Sequence, residues 1–513
     1  MQDNGAVIAG VAYLLHDTYV EFDTWTFLNN WAFLYPLMYL RYTSNRRSSI
    51  IDSQMTSNII PSNVTSMLER RLSTRPSILQ IVSGYRTREN DLSWIKLIQA
   101  NMYLFNCRTA SQDYLIQAID NSTLEINALD YGSPVNITTI FKIQSSSFIL
   151  TNSSISTIQQ TATKDDYLIS ISVGSDLNMT TTVFDIVDTH IISWDLGTID
   201  ISNGCNMTSL TQSVNNAIYA KEWTINIDDL TMQNAIITNI DEVFYFIDES
   251  KITISNSNFS SFNSRLITLI SSDLSISSTY IGTRSTVGAN LPGVGNAVAG
   301  TNSNITISNS TFESLQSRGS GGVIWVTQAL NYRQTVTNQL NITDSTFYNN
   351  SCNDFNGGAI YTENVDVTIT GGSFTLNTAR RGGAIYFSWN IDASPKWSYS
   401  INSNTASNNS ATRYGGFLYT DLYEPSLSNI TLSNNTATLY GNDYGAYPVN
   451  IQITLDENET LTIVSGNTLD TPIQYIAYDF FNQVAVNLGN RLAALQIDSS
   501  EIQLQEQNRA SSI

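Results

Sequence analysis

The sequence predicts an all-β chain, a parallel β-helix followed by the opening strands of a β-sandwich-like module. Three observations carry this expectation. Short runs alternate apolar residues with Thr, Ser, Asn or Asp, as in Ile252-Thr253-Ile254, Ile305-Thr306-Ile307 and Val365-Asp366-Val367-Thr368-Ile369. That is the period-2 pattern of half-buried strands, and no convincing long helix interrupts it. The runs also repeat. Phe347-x-x-Asn350 precedes Gly357-Gly358-Ala359-Ile360-Tyr361, and Phe374-x-x-Asn377 precedes Gly382-Gly383-Ala384-Ile385-Tyr386. The period of about 25 residues fits a solenoid turn built from three short strands, stretched in places by surface loops.

The elements follow in order. At the N-terminus Gly10-Val11-Ala12-Tyr13 precedes Phe27-x-x-Asn30 by the interval that separates Gly357 from Phe374, so the chain begins inside a turn. Residues 37–110 are arginine-rich and irregular, with a short helix expected over Val64 to Leu72; they read as a decorated section of the same solenoid. Residues 130–300 carry only the strand pattern, and the glycine-rich segment 283–303 reads as a long surface loop. From 305 to 450 the repeat is explicit. Its glycine pairs, Gly321-Gly322, Gly357-Gly358, Gly382-Gly383 and Gly415-Gly416, supply the φ > 0 freedom and close backbone approach that sharp bends need. Ile324, Ile360, Ile385 and Leu418 share one offset from these pairs and are expected to stack as one interior column. Phe347 and Phe374 form another, with an asparagine ladder at the turn beside them. About fifteen such turns, roughly 4.8 Å apart, make a rod of roughly 70 Å. Residues 1–450 are thus assigned to the solenoid. Residues 451–513, with Leu461-Thr462-Ile463-Val464 and the run from Pro472 to Val486, begin a module that stops before a sandwich of about 100 residues closes.

Composition narrows the functions. The chain has 513 residues, 24 Lys+Arg against 44 Asp+Glu, and a formal charge of -20. With 42% hydrophobic and 13% charged residues it builds a core and is not a charge-driven disordered polymer. The acidic balance argues against nucleic-acid binding. Two histidines, His16 and His190, leave little for a metal site or for acid–base chemistry near neutral pH, and no nucleophile elbow accompanies them. Cys107, Cys205 and Cys352 are far apart and form neither a disulfide framework nor a zinc spacing. No run reaches the roughly 18–20 apolar residues of a membrane span, and the N-terminus lacks the pattern of a signal peptide.

Phe347-x-x-Asn350 and Phe374-x-x-Asn377, each followed by Gly-Gly-Ala-Ile, resemble the repeat of the polymorphic membrane proteins of chlamydiae. The closing run from Tyr440 to Pro448 is similar to the end of the helix in large pectin-lyase-fold repeat proteins of ciliates. The resemblance covers residues 305–450. It implies a right-handed, pectin-lyase-like solenoid in a surface adhesin. The copy at Gly415 departs, with Phe417-Leu418 for Ala-Ile and no Phe-x-x-Asn before it.

Candidate chemistry is sparse. The hydrolases of this fold place Asp carboxylates on adjacent turns as acid and base. Asp165-Asp166, Asp228-Asp229 and Asp241-Glu242 are adjacent in sequence, which in a strand sends them to opposite faces, so they are read as turn or surface residues. Arg318, Asp354, Arg380 and Arg413 each fall two or three residues before a glycine pair. They are read as a salt-bridge ladder worth about 0–1 kcal/mol per exposed pair, with an anion-binding stripe for uronate or sulfate as the sharper alternative. About fifteen Asn-x-Ser/Thr sequons, among them Asn63, Asn136, Asn178, Asn304, Asn341, Asn429 and Asn458, permit N-glycosylation.

The expected function is a non-catalytic spacer or adhesive scaffold at the cell surface or outside the cell, with no catalytic, metal or cofactor residues. Glycans or surface proteins are its expected partners, and its membrane anchor is expected outside this chain, an internal piece of a longer protein. The alternative is a polysaccharide-binding or polysaccharide-degrading β-helix protein. A carboxylate cluster on one face argues for the enzyme; a smooth face of Asn, Ser and Thr argues for the scaffold.

Overall fold

The computed structural model describes residues 95–486 apart from 111–115, 133–139, 160–167, 189–195, 209–210, 213–215, 238–241, 283–290, 330–337, 389–396, 422 and 455–473. Between residues 5 and 56 it describes the backbone of short strands. The chain divides into two units, Met1–Tyr447 and Pro448–Ile513.

The first unit is a right-handed parallel β-helix. Its clearest turn has four strands rather than the expected three: Asp366–Thr370, Ser373–Thr375, Thr378–Arg381 and Ile385–Ser388. Each pairs in parallel with its counterpart one turn on: Tyr399–Asn402, Thr405–Ser407, Ser410–Tyr414 and Leu418–Thr420. The extra corner arises because single non-glycine residues take the left-handed conformation, Ser403 and Asn408 at φ 55° and Leu376 at φ 60°. One such residue bends the chain without a glycine to advertise it, at a cost that Asn and Asp tolerate best.

The N-terminal strands continue the parallel stacking. Ala12–Leu15 pairs with Met38–Arg41, which pairs with Ile95–Ile98, and Arg47–Ile51 pairs with Asn101–Ala110. The proposed helix at Val64 to Leu72 lies outside the described residues. The glycine-rich segment 283–303 is not wholly a loop. Val298–Thr301 is a strand, paired with Ile324–Thr327, and Ala297 and Val298 are fully buried. Gly295, at φ 48°, makes the corner before it, as Gly321 does one turn later. The apolar run Ala297-Val298-Ala299 supplies the reason: interior positions recruit it into the sheet.

The core runs through the solenoid. Ile324, Ile360, Ile385 and Leu418 are in register and fully buried. Phe312, Phe347 and Phe374 stack with centroids 5.0 and 4.9 Å apart. The next residue in that column is Ala406, and Phe417 restores the lost volume by packing on Phe374 at 5.6 Å. The departure of the Gly415 copy from the repeat is thus a paired exchange within one layer. Each glycine pair serves two ends. A Cβ on Gly358 would lie 2.1 Å from the carbonyl oxygen of Gly383, so the second glycine is set by backbone approach, whereas the first, Gly357 at φ 70°, makes the bend.

In the second unit Asn450–Thr454 pairs antiparallel with Gln474–Tyr478. Asp479 closes a turn there by accepting the backbone N–H groups of Phe481 and Gln483. The run at Leu461 lies outside the described residues.

Candidate ligand-binding face

The outer surface of the first strands is a continuous polar face. Alternation puts Ile305, Leu340 and Val367 inside and Thr306, Asn341 and Thr368 outside. An open groove of about 430 Å³ crosses it, lined by Lys251, Thr253, Asp273, Ser275, Asn304, Thr306, Gln339 and Asn341 among others.

Five carboxylates on this face share one arrangement. Each accepts a hydrogen bond from a neutral side chain one turn on. Asn226 donates to Asp200 at 2.7 Å, Asn304 to Asp273 at 2.9 Å and Ser398 to Asp366 at 3.1 Å. Thr198 donates to Asp176. Ser255 and Asn256 both donate to Asp228 at 2.7 Å, and these bonds hold its carboxyl below the ordinary carboxylate range. Asp176, Asp200 and Asp228 step diagonally across three successive turns.

Sequence reasoning looked for adjacent carboxylates and missed this diagonal, whose signal is an Asp at the outward position of three consecutive strands. Of the pairs it named, Asp228 lies on the face while Asp229 sits in the turn at φ 56°. Glu242 lies 3.7 Å from Arg265. Asp165, Asp166, Asp241, His16 and His190 lie outside the described residues. Among the described residues no group of three or more His, Cys, Asp or Glu is placed to hold a metal ion.

Arg318, Asp354, Arg380 and Arg413 stand on successive turns, and the charges of Arg413 and Asp354 both reach Arg380. Among the described residues no ion pair within 4.0 Å joins any of them. The third strands slip in register after Cys352 and again after Ala379, but nearer the glycines the register is restored, with Asn356, Arg381 and Tyr414 as successive partners. Arg381, which the sequence reading passed over, is the arginine that packs. Its guanidinium lies over Tyr414 and Tyr419 at 5.7 and 5.9 Å.

Of the sequons, Asn178, Asn304 and Asn341 stand on first strands and Asn429 at a corner; Asn63, Asn136 and Asn458 lie outside the described residues. The Asn304 amide is already engaged with Asp273 and with the Gln339 N–H.

A second polar column lies on the fourth strands. Tyr361, Tyr386 and Tyr419 stack at 5.5 and 5.4 Å, and Asp421 accepts from Tyr386 at 2.7 Å and from Ser388 at 3.1 Å. Burial, then the Asp421 charge, pushes the Tyr386 hydroxyl above its ordinary value.

Fold and face together define a parallel β-solenoid repeat protein, of the kind that pectin-lyase-like and polymorphic-membrane-type repeat proteins share in general. Over 207 residues, 37% of this chain, it is 31% identical to the protein named "Probable autotransporter YfaL" of Escherichia coli (strain K12). The chain spans 15% of that relative's length. No family model matches the chain, and no solved structure matches it. Among the described residues no helix is long and apolar enough to cross a membrane.

Proposed function

We propose that the protein is a non-catalytic cell-surface or secreted scaffold, a spacer or adhesive segment whose repeat carries the interaction surface. The hydrogen bonding of the first-strand face carries this reading. Its carboxylates bond to Asn, Ser and Thr of the next turn, as in Asn226 to Asp200 and Asn304 to Asp273, so their lone pairs serve to lock turns together. A general acid needs a carboxyl raised toward the working pH, and Asp228 is moved the other way. The similarity to a probable autotransporter supports the surface location.

The diagonal Asp176, Asp200 and Asp228 favours a second reading, a polysaccharide-active protein, because neighbouring turns are where glycoside hydrolases on this architecture hold their acid and base. Incubation of pure protein with neutral and acidic polysaccharides separates the two. The scaffold releases neither reducing ends nor unsaturated products. Turnover that disappears in Asp200→Asn establishes the enzyme.

A further inference from the structure

The third strands carry charge for which the scaffold has no evident use. Ser351–Asn356, Thr378–Arg381 and Ser410–Tyr414 are in register at Ser351, Thr378 and Ser410. Then the register slips: Ala379 faces Ala411, but Arg381 faces Tyr414. Arg380 therefore stands opposite Thr412 and Arg413 of the next turn. Arg380 is half-buried and Arg413 exposed. Partial burial, then the charges of Arg413 and Arg381, hold the Arg380 guanidinium below arginine's ordinary value, and the Asp354 charge offsets only part of this. Asp354 is exposed and makes no ion pair with either. Arg381 is held by its tyrosines. Two arginines thus stand at facing positions on adjacent turns, with no carboxylate within ion-pair distance, on a chain of net charge -20.

Hydroxyl groups run beside them. Ser351, Thr378, Ser410 and Thr436 form one column across four turns, and the Thr436 and Ser410 oxygens are 3.3 Å apart. Thr378, Thr412 and Thr436 are exposed. The surface is open, so it suits one group of an extended ligand rather than an enclosed small molecule. A planar guanidinium pairs bidentately with a carboxylate or sulfate. Two arginines beside a row of hydroxyls accommodate an acid group carried on a hydroxyl-rich polymer.

We propose that Arg380 and Arg413 bind one acidic group, a sulfate ester or a carboxylate, of an acidic glycan whose hydroxyls lie along Thr378, Ser410 and Thr436. This goes beyond the scaffold reading and is tested apart from it, because turnover reports on that reading and binding on this one.

The experiment measures binding of the full chain to heparin fragments, to polygalacturonate oligomers and to neutral dextran. At least one acidic polymer should bind, and dextran should not. Arg380→Ala with Arg413→Ala should weaken that binding by about tenfold or more, and added salt should weaken it as well. Arg318→Ala, which removes one positive charge elsewhere as Arg413→Gln does here, should leave it within about twofold. Preference for heparin assigns a sulfate, and preference for polygalacturonate a carboxylate. No binding to either acidic polymer, an unchanged double variant, or an equal loss in Arg318→Ala overturns the proposal. Arg413 is exposed, so Arg413→Gln alone carries the test should the double variant fail to fold.

Discussion

Asn377 donates its side-chain amide to the Oδ1 of Asn409 at 3.0 Å, while its own Oδ1 accepts the side-chain amide of Asn350 at 3.0 Å. The same oxygen takes the Asn350 backbone N–H, and the same amide reaches the Phe347 carbonyl. Asn409 repeats the pattern with Asn435, and the ladder ends on Asp443. All four asparagines are buried. Asn377→Ala should cost about 2–4 kcal/mol, because it strands a buried N–H and a buried carbonyl on neighbouring turns. Chemical denaturation measures it; a loss under about 1 kcal/mol would show that the ladder contributes little.

Leu376 is the opposite case. It takes φ 60° at a corner where the neighbouring turns have Asn349 and Asn408, and its side chain is 40% exposed. Leu376→Asn should stabilise the protein by about 1 kcal/mol by relieving a conformation that a γ-branched side chain disfavours. A lower melting temperature for the variant counts against this.

Two substitutions probe the interior. Ile385→Asp puts a charge at a fully buried position and should cost more than about 4 kcal/mol. Gly358→Ala sets a methyl group against the Gly383 carbonyl, part of a rigid backbone, and should unfold several turns or block expression. Native-like circular dichroism and melting in either variant contradicts the assigned register.

Alkaline stability follows from buried acids. Burial pushes the Cys352 thiol from 9.0 up to about 12. Burial, then Asp421, raises Tyr386, and burial, then Tyr440 and Tyr386, raises Tyr419, each from 10.0. All three shifts have one sign: the unfolded chain gives up its protons first. Their contribution is complete below pH 9.0 and falls as pH rises toward about 12. Unfolding and tyrosinate absorbance should therefore rise together in an alkaline titration. Tyrosinate from these positions in a chain that stays folded is the opposing result.

Much of this architecture is legible in the sequence where glycine pairs and Phe-x-x-Asn recur. The Ile324 to Leu418 column, the Phe347–Phe374 stack and the asparagine ladder all lie where the repeat places them. What escaped has physical causes. The fourth strand hides behind corners made by Asn, Ser or Leu in a glycine conformation. A second ladder, in which the hydroxyl oxygens of Ser257, Thr279, Ser310 and Ser345 each accept a backbone N–H of the previous turn, also passed unnoticed. Its signal is present: Ser257, Ser310 and Ser345 stand two residues before Phe259, Phe312 and Phe347. In the arginine column, Arg380 and Arg413 keep the height that counting back from the glycines gives, because Arg381 and Tyr414 beside them are register partners.

The central claim is parallel stacking of turns in one register, and cross-linking tests it most directly. Thr306 and Asn341 are register partners on the outer face of adjacent turns, whereas Thr343 lies two residues further along. Neighbouring strands lie about 4.8 Å apart, within disulfide reach, and a two-residue offset takes the Cα atoms out to about 7–8 Å. The native thiols are buried. Thr306→Cys with Asn341→Cys should close a disulfide under mild oxidation, and Thr306→Cys with Thr343→Cys should not. Cross-linking of the second pair in preference to the first, or of neither, contradicts the stacked register.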